Sequence, residues 1–179
     1  MHRNALLTKL NNYTPFDSNE RRMYDSLVQF VVANPDCFKR TSKTGHITGS
    51  AWIVNKKRTK VLLTYHRKLR KWIQLGGHAD GDSNILEVVL REVKEESGLK
   101  SINFVSRQIF DVDVHTIPES RKESEHLHFD VRFLLEADSD EPYLISSESI
   151  DLSWVDLNKV NDLNPNESIS RMVRKTNRL

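Results

Sequence analysis

The stretch from Gly76 to Leu99 constrains this chain more than any other part of its sequence. It begins with a Gly-Gly turn and a polar loop, and about four helical turns of mixed apolar and acidic residues follow. Asn84 is a suitable N-cap, and Glu87 stands three residues later to complete a capping box. Gly98 predicts the helix end, because glycine accepts the left-handed conformation that a C-cap needs.

The predicted helix has one apolar and one acidic face. The apolar stripe, at three- and four-residue spacing, consists of Leu86, Val89, Leu90 and Val93. Glu92, Glu95 and Glu96 stand at i, i+3 and i+4, so their carboxylates share one patch of the helix surface. Such a patch is either a solvated acidic face or a site for Mg²⁺ or Mn²⁺, which prefer oxygen ligands. Spacing alone leaves both interpretations open.

The second half of the stretch reads Arg-Glu-Val-Lys-Glu-Glu-Ser-Gly-Leu over residues 91–99. It resembles the signature of the Nudix hydrolases: Gly, five residues, Glu, seven residues, then Arg-Glu-apolar-x-Glu-Glu-x-Gly-apolar. Counted from Gly77, every specified position of this second half matches. Ser83 stands where the family has its first Glu. Glu87, one turn before Arg91, is placed to take over the pairing with this arginine.

The resemblance implies an α+β fold, an α/β/α sandwich with a mixed β-sheet between helices. It also implies a metal-dependent hydrolase that cleaves a pyrophosphate bond in a nucleoside diphosphate linked to another moiety, with Mg²⁺ or Mn²⁺ as cofactor. The metal ligands expected on this basis are Glu92, Glu95, Glu96 and a backbone carbonyl of Gly76 or Gly77. The catalytic residues expected on the same basis are Glu92, Glu95, Arg91 and Glu148. Glu148 is chosen because some relatives draw a general base from a late loop before a Trp-containing strand, and Glu136 and Glu141 are the alternative candidates.

A basic segment, residues 66–71, precedes the glycines. A basic loop beside an acidic metal helix is suited to a polyphosphate, because its cations neutralise phosphate oxygens that metals do not reach. The residues predicted to bind substrate here are His66, Arg67, Lys68, Arg70 and, just after the glycines, His78. An ordinary solvated loop is the open alternative.

Two later segments alternate polar and apolar residues with a period of two, which predicts strands. The first is Asp111 to His115, within residues Ile102 to Ile117, and the second is His126 to Phe133. If they pair as a hairpin, one polar face collects three aspartates and three histidines: Asp111, Asp113, Asp130, His115, His126 and His128. The three histidines are predicted to bind substrate, and the face as a whole to form a second metal or substrate surface. A water-facing sheet surface is the alternative.

Flanking segments suggest the domain organisation. Residues 1–40 are predicted to be a helical extension packed on a main domain over residues 41–179, within one globular unit. A dimer interface or a substrate-selecting surface is the functional alternative for this extension. A hairpin is predicted over residues 46–66. A last helix beginning at Asn166 or Ser168 is predicted to pack by an apolar side and to have a solvated basic face with Arg171, Arg174, Lys175 and Arg178.

Composition limits the classes of partner and the cellular compartment that we expect for this protein. The net charge of +2 argues against nonspecific nucleic-acid binding. The single cysteine, Cys37, excludes an internal disulfide and fits a reducing cytosol. No apolar run is long enough to span a membrane. We therefore expect a cytoplasmic protein with a nucleotide-like small-molecule substrate and a possible homodimer.

Because Ser83 replaces a family glutamate, a catalytically silent nucleotide-binding module on the same fold is the alternative function. An isomerase is disfavoured, since Cys37 lies far from the acids.

Overall fold

The computed structural model describes residues 2–120 and 124–179. In chain order the elements are α1 (Asn4–Asn11), α2 (Ser18–Ala33), β1 (Gly45–Asn55), β2 (Lys60–His66), β3 (Lys71–Ile73), β4 (Leu75–His78), α3 (Ile85–Ser97), β5 (Ile102–Phe104), β6 (Asp111–Ile117), β7 (His126–Ala137), β8 (Ser149–Asp156), a 3-10 turn (Leu157–Lys159), α4 (Val160–Leu163) and α5 (Glu167–Thr176). The loop predicted over residues 119–125 lies partly outside the described residues.

The strands form a mixed β-sheet accompanied by helices, which confirms the predicted α+β class. Along one path of the sheet the order is β3-β2-β1-β7-β5, while β4 pairs with β1, β6 with β7 and β8 with β2. The predicted first hairpin is confirmed, because β1 and β2 pair antiparallel with Ile53 opposite Leu62.

The range 102–117 holds two short strands, and the second contains the predicted alternation of Asp111 to His115. β5 ends at Phe104, and β6 begins only at Asp111. Both short strands pair antiparallel with β7, β5 near its end and β6 along its beginning. The intervening residues 105–110 contain Ser106, Arg107 and Gln108, which break the alternation and leave the ladder.

By its contacts the chain divides into two compact units, and the first comprises Met1–Ser50, Gly77–Val89 and Arg107–Phe133. Within it, α2 contacts β6. Phe30 of α2 stacks on Phe129 of β7 with ring centroids 3.9 Å apart. The buried carboxylate of Glu20 accepts hydrogen bonds from the Tyr13 hydroxyl and from the backbone N–H of Val112. The predicted N-terminal helices are therefore confirmed and pack on strands of this unit; the domain boundary near residue 40 stays a prediction.

The second unit comprises Ala51–Gly76, Leu90–Ser106 and Leu134–Leu179. Its most buried aromatic residue, Trp52, donates from Nε1 to the Thr176 hydroxyl of α5 at 2.9 Å. The solvated basic face predicted for α5 is wrong for Arg171 and Lys175, because both side chains are buried. The helix is buried beyond its apolar stripe, and a charge pattern read from the sequence cannot reveal such a wide contact.

None of the described helices is long and apolar enough to cross a membrane.

Candidate active site and histidine cluster

Helix α3 begins and ends where the sequence predicts. The carbonyl of Asn84 accepts the N–H groups of Glu87 and Val88, as expected of an N-cap. At the other end Gly98 adopts a φ of +68° and its N–H donates to a carbonyl one turn earlier. The predicted capping box is wrong in one contact, since the Asn84 N–H donates to the carboxylate of Asp82, at 2.8 Å, and not to Glu87. A loop carboxylate two residues away reaches this N–H first.

The three helix acids differ in their surroundings. Glu96 is buried, and its Oε1 accepts the backbone N–H of Gly76 at 2.7 Å. Glu92 is half-buried and accepts a hydrogen bond from Arg91 at 2.9 Å. Burial raises the pKa of Glu92, and the bond from Arg91 opposes that rise. Glu95 is exposed. The acids therefore run from the solvent edge of the helix into the interior of the second unit.

Electrostatic repulsion is concentrated at Glu96. Burial raises the pKa of its carboxyl to about 8, against the lowering effect of the Gly76 N–H. Negative charge on Glu92, Glu148 and Glu95 raises it further. A buried carboxylate among other acids is unstable as an anion unless a cation compensates it.

Glu148 lies close enough to the helix acids to affect their titration, although it comes from the loop before β8. Arg67 holds this loop in place: its guanidinium donates to the carbonyls of Ser147 and Ser149 at 2.9 and 2.8 Å. The Arg67 backbone N–H donates to the carbonyl of Glu148 itself, also at 2.9 Å. Arg67 was predicted to bind phosphate; its Nε and Nη2 donate to the Glu148 loop, and a phosphate contact of this side chain stays a prediction.

The other basic-loop residues have mixed roles. His66 accepts the backbone N–H of Leu69 through Nδ1, and burial lowers its pKa while the charge of Glu148 opposes the shift. Lys68 is exposed. The Arg70 guanidinium lies over the Tyr65 ring, 5.6 Å from its centroid. The charge of Glu148 thus connects His66 electrostatically to the acidic site.

The glycine loop belongs to the first unit from Gly77 onward. Asp80, a possible substitute for the missing carboxylate, forms a paired hydrogen bond with Arg40. Asp82 is engaged with the start of α3, as described above. Ser83 is half-buried in this loop. Asp80 and Asp82 both have hydrogen-bond partners in the protein, so neither side chain is placed to substitute for the missing glutamate.

The predicted hairpin of β6 and β7 is confirmed. Asp113 lies opposite Asp130, and His115 lies opposite His128, so the predicted polar side chains share a face. The aspartates are not solvated, however. They surround one buried guanidinium, that of Arg132, which contacts Asp130 at 2.7 Å and both Asp111 and Asp113 at 3.2 Å. The three negative charges raise the pKa of Arg132. The aspartate part of this face is a buried ion network and not a water-facing surface.

A histidine cluster occupies the same unit. It is defined by His46 of β1, His78 of β4 and His128 of β7, each of which offers a ring nitrogen within 4.8 Å of the others. His126 is a neighbour, with ring centroids 4.9 Å from His46 and 5.3 Å from His128. His115 is more exposed and contacts the carboxylate of Asp113 at 3.3 Å.

Sequence reasoning missed two residues of this unit, His46 and Arg132. His46 was treated as the first residue of an ordinary strand, and Arg132 as part of an alternation. The available signal was the chemistry of the aspartates, since three carboxylates on one strand pair require a buried cation. No local pattern marks His46, because its partners lie on other strands.

An α/β/α sandwich with carboxylates on a loop–helix element is typical of hydrolases that bind a divalent cation. The NUDIX domain model matches residues 46–175, most of the chain, and this protein belongs to the NUDIX family. The expectation of a Nudix-type pyrophosphohydrolase is thereby confirmed at the level of the class. Members of this class generally need a divalent metal.

Solved structures agree on the fold. A C. elegans Ap4A hydrolase in a binary complex has 15% identity and a TM-score of 0.60, over 74% of this chain and 95% of that one. A NUDIX-family hydrolase from Clostridium perfringens has 24% identity and a TM-score of 0.56, over 74% and 96%. The E. coli dihydroneopterin triphosphate pyrophosphohydrolase has 15% identity and a TM-score of 0.56, over 72% and 92%. No curated protein matches the sequence significantly.

Proposed function

We propose that this protein is a metal-dependent hydrolase that cleaves a pyrophosphate bond in a nucleoside diphosphate linked to another moiety. The observation that carries the proposal is the buried carboxylate of Glu96, whose pKa is raised to about 8 by burial among other acids. A hydrolase of this family needs such a carboxylate set to hold a divalent cation beside a diphosphate.

The donor set fits Mg²⁺ or Mn²⁺. It consists of hard carboxylate oxygens, and it lacks the thiolate or imidazole that would favour a softer ion. The proposed ligands are Glu92, Glu95 and Glu96, with a backbone carbonyl of Gly76 or Gly77. The Gly76 N–H holds one oxygen of Glu96, which orients the carboxylate and leaves its other oxygen available. When bound, the cation supplies charge neutralisation at the phosphate oxygens and acidifies water.

The chain's own residues would then orient and deprotonate the attacking water. Glu92 and Glu148 are the proposed bases. Burial raises the pKa of Glu92, so this carboxylate binds a proton more readily than one in water. Glu148 is exposed and lies within electrostatic range of Glu92. Arg91 pairs with Glu92 and keeps that carboxylate in place. Arg67 acts through the Glu148 loop and is a positioning residue.

The phosphate contacts proposed on the substrate side are His66, Lys68 and Arg70. Lys68 is exposed and is thus available to an incoming anion. His66 lies within electrostatic range of both Lys68 and Glu148, so it is placed where phosphate and acid would meet. The proposed substrate is a small nucleotide derivative, and homodimer formation stays a prediction.

The test is a phosphate-release panel with Mg²⁺ and with Mn²⁺. Dinucleoside polyphosphates, nucleotide sugars, oxidised nucleoside triphosphates and coenzyme diphosphates should be compared, since the similar solved structures include an Ap4A hydrolase. We expect metal-dependent turnover of at least one class, and its loss in Glu95→Gln. Unchanged turnover in a folded Glu95→Gln variant would refute the metal assignment. Nucleotide binding without turnover in the wild type would establish the silent module that Ser83 suggests.

A further inference from the structure

The metal-dependent step proposed above does not use the histidine cluster, and the predicted contact of His78 and His128 with substrate stays a prediction. The members of the cluster, His46, His78 and His128, come from three different strands and place ring nitrogens within 4.8 Å of one another. We propose that these three imidazoles form a binding site for a transition-metal cation of the Zn²⁺ class. The proposal concerns residues different from the helix acids, and it does not depend on whether the protein hydrolyses nucleotides.

His46 provides the strongest observation. Its side chain is 3% exposed, and within the described residues neither of its ring nitrogens has a hydrogen-bond partner. A buried imidazole without partners loses its hydration and gains nothing in return. Its ring lies 4.9 Å from that of His78 and 4.8 Å from that of His128, centroid to centroid. A cation between the rings would supply the missing partner.

The spacing of the nitrogens suits a tetrahedral metal. Zn–N bonds of about 2.0–2.1 Å in a tetrahedral site separate the ligand nitrogens by about 3.3 Å. The Nε2 atoms of His78 and His128 are 3.3 Å apart. That distance also permits a hydrogen bond between the two rings, but such a bond would leave His46 unsatisfied. The other separations, which are at most 4.8 Å, would have to shorten on metal binding, and χ2 of histidine is a broad torsion that permits ring rotation.

The chemical state of the rings supports metal binding. Metals are bound by neutral imidazole. His46 is buried and His128 is half-buried, and burial favours the neutral form of imidazole. Neutral imidazoles suit zinc, copper, nickel and iron, while magnesium prefers carboxylate and water. The nearby aspartates are not competing ligands, because the Arg132 guanidinium contacts all three.

His126 adds to the same environment. Its Nδ1 contacts the carbonyl of Ser124 at 2.8 Å, so Nδ1 carries the proton and Nε2 presents a lone pair. Within the described residues this buried Nε2 has no partner. Three ligands and an open fourth position are the arrangement of a zinc centre that can bind water or substrate. His126 is therefore a neighbour of the site and lies outside the three nitrogens that are within 4.8 Å of one another.

The experiment uses the full chain, with any affinity tag removed, and Co²⁺ as a spectroscopic substitute for Zn²⁺. Excess Mg²⁺ is present throughout to occupy the carboxylates. We expect one Co²⁺ per chain, visible by its d–d absorption and displaced by Zn²⁺. His46→Gln and His128→Gln should each weaken binding by more than about 100-fold, beyond the loss typical of an outer-shell change. The matched control His2→Gln, at an exposed histidine outside the cluster, should bind as the wild type does.

Three results would overturn the proposal: no stoichiometric Co²⁺ in the wild type, unchanged binding in folded His46→Gln, or loss of binding in Glu96→Gln. The last result would assign the cobalt to the carboxylates instead. Melting curves recorded in chelator establish whether each variant folds. If the histidine variants do not fold, the wild type still decides the question by NMR, because three imidazole N–H signals should show paramagnetic shifts with Co²⁺. Shifted signals from fewer than three rings would contradict the site.

Discussion

The acidic helix and the histidine cluster are built in opposite ways. Glu92, Glu95 and Glu96 lie within five consecutive residues of one helix, so helical periodicity alone places them together. His46 and His128 lie on different strands, and only strand pairing brings their rings within 4.8 Å. A site on one helix is visible in a sequence, and a site assembled across a sheet is not.

Burial acts on the two sets with opposite sign. It raises the pKa of Glu96 to about 8, and it lowers the pKa of His128 to about 2. In both cases desolvation disfavours the charged form of a group that has like neighbours. A bound cation would offset the cost of burying either set, but carboxylates prefer a hard ion and imidazoles a borderline one. The comparison therefore predicts two separable metal preferences in one chain.

The largest effect is expected from Glu96→Gln. Hydrolysis should fall by about 10⁴-fold or more, the upper end of what one positioned catalytic group contributes. The metal-free protein should unfold at the same or higher denaturant concentration, because an amide is cheaper to bury than a carboxylate. Steady-state kinetics with Mg²⁺ and urea unfolding measure the two effects. Glu167→Gln, an exposed acid on α5, is the matched control. Retention of the wild-type kcat in Glu96→Gln would refute the proposed cation site on the acidic helix.

The next effect concerns the aspartates beside the histidines. Arg132→Met should lower the free energy of unfolding by about 3–5 kcal/mol, because it leaves buried carboxylates without their cation. Arg174→Met, which removes an exposed ion pair with Glu167, should cost only about 0–1 kcal/mol. Chemical denaturation of both variants makes the measurement. Equal losses of stability in the two variants would mean that the buried aspartates do not need Arg132 as their counterion. These aspartates would then again be candidate metal ligands.

Metal-dependent melting tests the separation directly. At a free concentration about 100 times Kd, each cation should add about 2.7 kcal/mol to the free energy of unfolding. His46→Gln should lose stabilisation by Zn²⁺ and keep that by Mg²⁺, and Glu96→Gln should show the reverse. Calorimetric scans with and without chelator measure these shifts. If either variant loses both responses, the two sets are one site.

The smallest effect is expected from a substitution at Gly98, the residue that ends the acidic helix α3. Gly98→Ala should cost about 1–2 kcal/mol, because Gly98 has a φ of +68° and a left-handed conformation is unfavourable for alanine. An added Cβ would also lie 3.1 Å from Cδ1 of Leu144. Lys94→Ala, at an exposed position of α3, should change stability by less than about 0.5 kcal/mol. Denaturant midpoints compare the two, and a neutral Gly98→Ala would show that the cap is not needed to place the acids.

Elements with strong local signals were predictable. The limits of α3, the first hairpin and the pairing of β6 with β7 all follow from periodicity and from turn or cap residues. The error at α5 has its physical origin in burial by residues distant in sequence, because Arg171 lies on a basic helix and is fully buried.

The sequence by itself determined the family, the acidic helix and its carboxylate patch, because residues three and four apart on a helix must be neighbours. Tertiary structure decided which polar groups are desolvated and with whom. It placed Arg132 among three aspartates, left His46 buried without a hydrogen-bond partner among the described residues, and joined Glu148 to the helix acids. Desolvation depends on every neighbour in space, and no local spacing encodes it.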